Sequence, residues 1–510
     1  MIGEDVVGYM FKMMGLAIKF AWWFIKTLWF TGLICPLFTL PFWLKIEESG
    51  IDVALPLRII IGISAFGLGG VLFLRNLQRW AKKHGLDSDI DNPKPADNLL
   101  SDFARGVVFG AHGRKWVCKP EHIDGHVLVV GGVGSGKSSC IAIPTLRAWN
   151  SRIFAIDIKG ELYYQTAAYR KANVRVFNPL DDNSFGYNPY YVLDNSTNPA
   201  QEARAITQAL IPLPPDVQDP FWIESAQSIL TGAILHFHDA GLSFIATLSM
   251  IQEQSPTELI EAIYNSPVQQ ARYCVSSFID SDEKLLSGIV LEISRNILPF
   301  ITDNTLISCF SRQNNITPVD LEYGADIYIH IPEHLLRQWK GLLTLIVNQF
   351  MTFFEQREES NNNPILFLLD EFPRLGKVPA ILDGLATLRS KKISMALIIQ
   401  SLAQLDLIYG ENARKVIADT CAYKAILSAT DADTQDYFSR MVGTYDKQET
   451  SHGTNKEAFT GMPRGTSTNT QPQQRRIIKP EEFASLDDDM VLLTPKGYCR
   501  IDKKPYYRQS

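Results

Sequence analysis

One run of eight residues restricts the architecture of this chain more than any other: Gly131-Gly132-Val133-Gly134-Ser135-Gly136-Lys137-Ser138. It matches G-x-x-x-x-G-K-[ST], with the β-like run Val127–Val130 before it and helix-compatible residues after it. Glycines at this spacing let the backbone curl until successive N–H groups face one point, and the helix that follows adds partial positive charge there. The run therefore reads as a strand–loop–helix cradle for phosphate, with Gly131, Gly132, Val133, Gly134, Ser135, Gly136, Lys137, Ser138 and Ser139 around the ligand. Lys137 is expected to reach the β and γ phosphates of ATP, and the Ser138 hydroxyl to hold Mg²⁺.

A second run, Ile365-Leu366-Phe367-Leu368-Leu369-Asp370-Glu371, is apolar and ends in two carboxylates. It reads as a buried strand with acids at its C-terminal mouth, where open α/β sheets bind their ligands. Asp370 is expected to hold Mg²⁺, directly or through water, and Glu371 to polarise an attacking water, which suits hydrolysis. Further apolar runs at Val127–Val130, Ile153–Asp157, Asp326–Ile331, Met395–Ile399 and Tyr423–Leu427 alternate with helical patterns. A parallel α/β sheet is the expected class from about His126 onward.

Composition narrows what surrounds this domain. Of 510 residues, 46% are hydrophobic and the formal net charge is −6, which excludes a disordered chain, a polytopic transporter and a histone-like coat for nucleic acid. Apolarity concentrates at the N-terminus. Thr27–Leu44 is uncharged, and Val53–Leu74 is interrupted only by Arg58. Residues 1–91 thus read as a membrane anchor with helices at about 20–44 and 53–74. The acidic Lys45–Asp52 loop and the basic outer flanks put both termini in the cytoplasm. Asn92–Arg105 reads as a linker. Between Thr197 and Asp303 helical periodicity dominates, as in Phe221–Phe237 and Asp282–Leu298, and the charge there is −9. We read an all-α domain over 197–303 inserted into an α/β domain over 92–196 and 304–510. Its acidity fits a docking face for a basic protein, a guard that repels strayed DNA, or a solvated surface. Asp446–Gln474, rich in Thr, Gly, Gln, Asn and Ser, reads as a flexible loop.

Three smaller signals stay open on the residues alone. Gln400 ends the strand Met395–Ile399, either as a γ-phosphate sensor or as a polar strand cap. Asp157-Ile158-Lys159-Gly160-Glu161 closes another strand, and periodicity does not say whether Asp157 or Lys159 points inward. Arg389 lies in a basic turn whose ordinary reading is a solvated surface. His236 and His238 lack a third ligand nearby. The seven cysteines stand apart without a CxxC pair, which fits a reducing compartment.

Taken together, GGVGSGKS, DIKGE, LLDEFPRLGKVP and SMALIIQSLAQL followed by Tyr409-Gly410, behind two apolar spans, resemble the type IV secretion coupling proteins, the TraG/TraD/TrwB family. The run from Phe367 to Gly410 is the specific part. The resemblance implies a RecA-like P-loop NTPase domain carrying an inserted all-α domain and a two-helix membrane hairpin. It implies a homo-oligomer, a hexameric ring about a pore, anchored in the bacterial inner membrane. It implies ATP hydrolysis stimulated by DNA, and recruitment of a relaxase and relaxosome proteins to the channel components of a type IV secretion system. Lys137, Ser138, Asp370, Glu371 and Gln400 match the family's nucleotide motifs, and Arg389 takes the position of an arginine acting on a neighbouring subunit. Where some relatives carry a second basic residue, just before the strand entering the P-loop, this chain has Gly125. Two other functions fit the same residues: a coupling ATPase for protein effectors, and a nucleotide-binding membrane scaffold.

Overall fold

The computed structural model describes residues 92–214, 217–359, 363–456 and 463–508. The expected membrane hairpin within 1–91 lies outside the described residues.

In chain order the strands are β1 (Leu100–Ser101), β2 (Val107–His112), β3 (Lys115–Lys119), β4 (Val127–Val130), β5 (Arg152–Ile156), β6 (Asn173–Phe177), β7 (Ala325–Ile329), β8 (Ile365–Leu369), β9 (Ile393–Ile399), β10 (Tyr423–Ile426), β11 (Thr444–Lys456), β12 (Pro463–Arg476), β13 (Asp489–Thr494) and β14 (Gly497–Asp502). All but β11 and β12 join one sheet in the order β1-β3-β2-β14-β13-β10-β4-β9-β8-β5-β7-β6. From β10 to β6 the pairing is parallel throughout. On the other side of β10, the strands from β13 outward pair antiparallel.

The parallel strands are apolar on both faces because both faces are covered. In β4, Val127 and Val129 enter one core, and Leu128 and Val130 the other. In β8, Leu366 and Leu368 share the first core, while Ile365, Phe367 and Leu369 share the second. Each of these side chains contributes on the order of 1.5–3 kcal/mol by burial, so the register of the central strands is tightly set.

The chain between β6 and β7 is helical. Phe221–Asp239 runs through the middle of this layer, and Pro199–Leu210, Phe244–Glu253, Pro256–Tyr264, Gln269–Val275 and Glu283–Thr302 pack on it. Ser243, Ser255 and Asp282 cap three of these helices by accepting from backbone N–H groups. Among the described residues, Glu283–Thr302 is the one helix long and apolar enough to cross a membrane. Its Leu286, Ile289, Ile293, Ile297 and Phe300 recur at helical spacing and are buried in the protein core.

Two segments differ from the sequence reading. Most of Asp446–Gln474 is not a loop. β11 and β12 pair antiparallel from Thr444↔Arg476 to Asn455↔Gly465. The polar, Thr-rich composition that suggested a loop also suits a two-stranded ribbon, whose backbone groups satisfy one another across the pair. The linker reading of Asn92–Arg105 also misses β1, which pairs with β3 through Leu100↔Val117 and Ser101↔Trp116.

Candidate active site

β4 runs between β9 and β10, and its end is clamped by both: Gly131 donates to the Ile399 carbonyl at 3.2 Å, and Leu427 donates to the Val130 carbonyl at 2.8 Å. The chain then curls through Gly131–Gly136 into a helix that opens with a wide turn over Lys137–Ala142 and continues to Ala148. Two glycines make the curl possible. A Cβ at Gly131 would stand 2.3 Å from the Ser135 hydroxyl, and Gly136 has φ +96° with Cys140 Sγ 2.9 Å from where a Cβ would lie. The Gly132 N–H is pinned to Ser428 Oγ at 3.0 Å. Lys137 folds back over the loop and donates to the carbonyls of Gly131 (2.7 Å) and Gly132 (3.1 Å). Burial lowers the pKa of its ammonium, and the opposing pull of Glu371 and Asp370 does not fully restore it.

The acids lie on β8, separated from β4 by β9. That order sets the end of β9, and with it Gln400, between the phosphate loop and the acids. Asp370 is 2% exposed, and one of its oxygens accepts from the Glu371 N–H at 3.1 Å. Glu371 adopts the left-handed conformation, φ +51°, uncommon for a residue with a Cβ. This turns its carboxylate into the cleft, where both oxygens are taken. Lys159 Nζ donates to Oε1 at 3.1 Å, and Gln400 Nε2 donates to Oε2 at 3.0 Å. Burial raises the Glu371 pKa, but those donors and the charge of Lys159 outweigh it and leave it below the ordinary value.

Next to them stands Asp157, fully buried at the end of β5. One oxygen accepts from the Tyr163 N–H at 2.8 Å, and the other, Oδ1, has no hydrogen-bond partner. Burial, reinforced by Asp370, pushes its pKa up to about 6. Asp370 rises to about 6 as well, through burial and then the nearness of Glu371. Two buried carboxylates side by side, one with an oxygen that has no hydrogen-bond partner, suit a divalent cation. Hard oxygen donors, with the Ser138 hydroxyl across the cleft, match Mg²⁺, which takes few protein ligands and keeps waters and phosphate oxygens for the rest.

The cleft, about 390 Å³, is lined by residues 133–139 of the phosphate loop and helix together with Lys159, Glu161, Glu371, Arg374 and Gln400. It thus gathers Lys137, Ser138, Ser139, Glu371 and Gln400, with Asp370 behind Glu371. It does not include Arg389. That residue is exposed and precedes β9, whose full length, roughly 20 Å, separates it from Gln400. The sequence reading left the Asp157/Lys159 question open: Asp157 is the buried one, and Lys159 enters the cleft. Arg374, Glu161 and Ser428 were missed. Glu161 and Arg374 lie inside the DIKGE and LLDEFPRLGKVP runs without having been singled out, whereas Ser428 lies in no such run and is brought in only by the pairing of β10 with β4.

The histidine pair gathers no further ligand. His238 Nε2 meets Asp194 at 2.9 Å, and no group of three or more metal-type side chains occurs among the described residues. The described cysteines are unpaired, and burial raises the pKa of each thiol, so none is poised as a thiolate.

The chain is similar to several known proteins. Protein VirD4 of Rhizobium radiobacter is 26% identical over 402 residues, covering 75% of this chain and 57% of its own length. Conjugal transfer protein TraG of Escherichia coli is 23% identical over 467 residues, covering 80% of this chain and 70% of its own length. The chain therefore spans little more than half the length of the VirD4 relatives it matches. Among solved structures, the conjugative coupling protein TrwBdeltaN70 in its sulphate complex superposes with a TM-score of 0.63 at 16% identity, over 80% of this chain and 90% of that one. TrwB with ADP and Mg²⁺ gives 0.62 at 15% identity with the same coverage. These likenesses show the fold, an α/β domain with a large mixed sheet. The family described as type IV secretory system conjugative DNA transfer matches residues 79–510, and the chain belongs to it.

Proposed function

We propose that this chain is an inner-membrane coupling ATPase that brings a relaxase–DNA complex to a type IV secretion channel and drives conjugative DNA transfer by hydrolysing ATP. The observation that carries the reading is the facing of Glu371 and Gln400 across one cleft from the phosphate loop. A protein that merely held nucleotide to stabilise an assembly has no use for a water-activating carboxylate. Relatives support the rest: TrwB binds ADP with Mg²⁺ and non-hydrolysable ATP and GTP analogues, and the TraG relatives are conjugal transfer proteins.

In this reading Lys137 and the amides of Gly131–Ser139 hold the phosphates. Ser138 and Asp370 hold Mg²⁺, which draws charge from the phosphates. Glu371 takes the proton of the attacking water, and Gln400 senses the γ-phosphate. Arg389, distant from its own cleft and exposed, serves the cleft of a neighbouring copy, which calls for a ring, expected to be a hexamer. Residues 1–91 anchor the chain by two spans, with the ATPase domain, 92–196 and 304–510, in the cytoplasm and 197–303 as an inserted helical domain.

A second reading, export of protein effectors by the same motor, is favoured by the −9 charge of 197–303, which suits a basic protein partner. Lys137→Ala separates the motor from the scaffold. We expect it to abolish ATP turnover and cargo transfer together. Transfer that continues at the wild-type rate would refute the motor reading.

A further inference from the structure

Glu371 is held by two donors from the strands on either side of its own. Lys159, just beyond the end of β5, takes one carboxylate oxygen at 3.1 Å, and Gln400, at the end of β9, takes the other at 3.0 Å. A carboxylate that must accept a proton from water needs an open lone pair directed at that water and enough basicity to take the proton. Each Glu371 oxygen already accepts one donor, which fixes its direction, and one of the two donors is a cation that lowers its basicity, so the base is capped.

The two caps are not equivalent. Gln400 is neutral and continues a fully buried strand. Lys159 is a charge whose side chain is 49% exposed, while Glu371 is 5% exposed. It stands between two backbone features of opposite kind: Asp157, buried and anchored by the Tyr163 N–H, and Gly160, at φ +74° with the His330 ring 3.0 Å from where a Cβ would lie. Its ammonium lines the same cleft as the phosphate loop. The other cations nearby do not duplicate it. Lys137 is engaged by loop carbonyls, and Arg374, 3.9 Å from Glu371, is paired with Glu333.

We propose that Lys159 is a positioning residue that latches Glu371 in an inactive orientation, so that turnover requires the segment 158–160 to swing its ammonium off the carboxylate. The latch rests on the reading of Glu371 as the base, and it makes the resting chain slow by design. Nucleic acid, as the activator, acts by opening it. Because the pair is half-solvated, the latch is weak enough to be released within a catalytic cycle.

The test uses the full chain in detergent micelles, with ATP turnover measured without DNA and with a single-stranded oligonucleotide, and with the affinity for a fluorescent ATP analogue measured alongside. Lys159→Met is expected to raise the DNA-free kcat about two- to fivefold, to leave the KM for ATP and the analogue affinity within about twofold, and so to shrink the stimulation by DNA. Lys159→Gln is expected to behave the same way, and Lys159→Arg to restore the slow basal rate. A DNA-free kcat that falls or stays level in both neutral variants overturns the latch. Glu371→Gln tells the two failures apart. If that chain still hydrolyses ATP, the base assignment falls and the latch with it. If it is inactive while Lys159→Met is slow, the latch alone is wrong.

Discussion

Lys119 ends β3 and is completely buried, with its ammonium donating to Ser394 Oγ at 2.9 Å. Burial, only partly offset by Asp124 and Glu121, pulls its pKa from the ordinary 10.5 down to about 8. The sign of the consequence follows from proton counting. Between pH 8 and 10.5 the unfolded chain holds a proton on this amine that the folded chain has lost, so stability rises with pH across that window. Below it, keeping the charge inside costs about 3 kcal/mol, at roughly 1.4 kcal/mol per pKa unit. Lys119→Met keeps the length of the side chain and removes the charge. The lost hydrogen bond offsets about 1 kcal/mol of the gain. The variant is therefore expected to be more stable than wild type by about 2 kcal/mol at pH 7, with the advantage vanishing and slightly reversing above pH 10.5. The assay is urea unfolding of the compact segment Pro93–Ser510, followed by circular dichroism for both proteins at several pH values. Groups common to both cancel in the difference. A difference that does not change with pH, or a variant less stable at pH 7, would refute the reasoning.

Two further outcomes are expected. Arg389→Ala should bind the fluorescent ATP analogue normally yet turn over slowly, and mixing it with Lys137→Ala chains should recover activity, since each supplies what the other lacks; mixtures no faster than their parts would remove the trans role. Arg170 is bonded through its guanidinium to Asp326 at 2.7 Å and to the carbonyls of Leu146, Trp149 and Ser151, all but sealed from water. Arg170→Met strands the Asp326 charge and should cost about 3–5 kcal/mol in the same urea assay, and a loss below 1 kcal/mol would show that the carboxylate finds another partner.

How much was legible depended on whether burial was written locally. Val127–Val130, Ile365–Leu369 and Met395–Ile399 read as central strands because both their faces are covered, and the structure agrees to within two residues. The antiparallel flank escaped. Lys115-Trp116-Val117-Cys118-Lys119 and Gly497-Tyr498-Cys499-Arg500-Ile501-Asp502 mix charge with apolar residues, and only their neighbours in the sheet explain them. Lys119 looks like a solvated strand end, yet the sheet closes over it. Lys137, Asp370 and Glu371 could be singled out because their motifs carry their chemistry in sequence, while Gln400 stayed open between a sensor and a strand cap. Lys159 was not resolved, because its orientation depends on β8, which pairs with β5 from more than 200 residues away.

In the proposed function the cleft is a motor site acting on DNA. The most direct measurement is ATP turnover by the segment Pro93–Ser510 across protein concentration, with and without single- and double-stranded DNA, alongside Lys137→Ala. Turnover is expected to rise steeply with protein concentration, to increase when DNA is added and to disappear in Lys137→Ala. Turnover that ignores DNA in a segment shown to assemble, or that survives Lys137→Ala, would contradict that function.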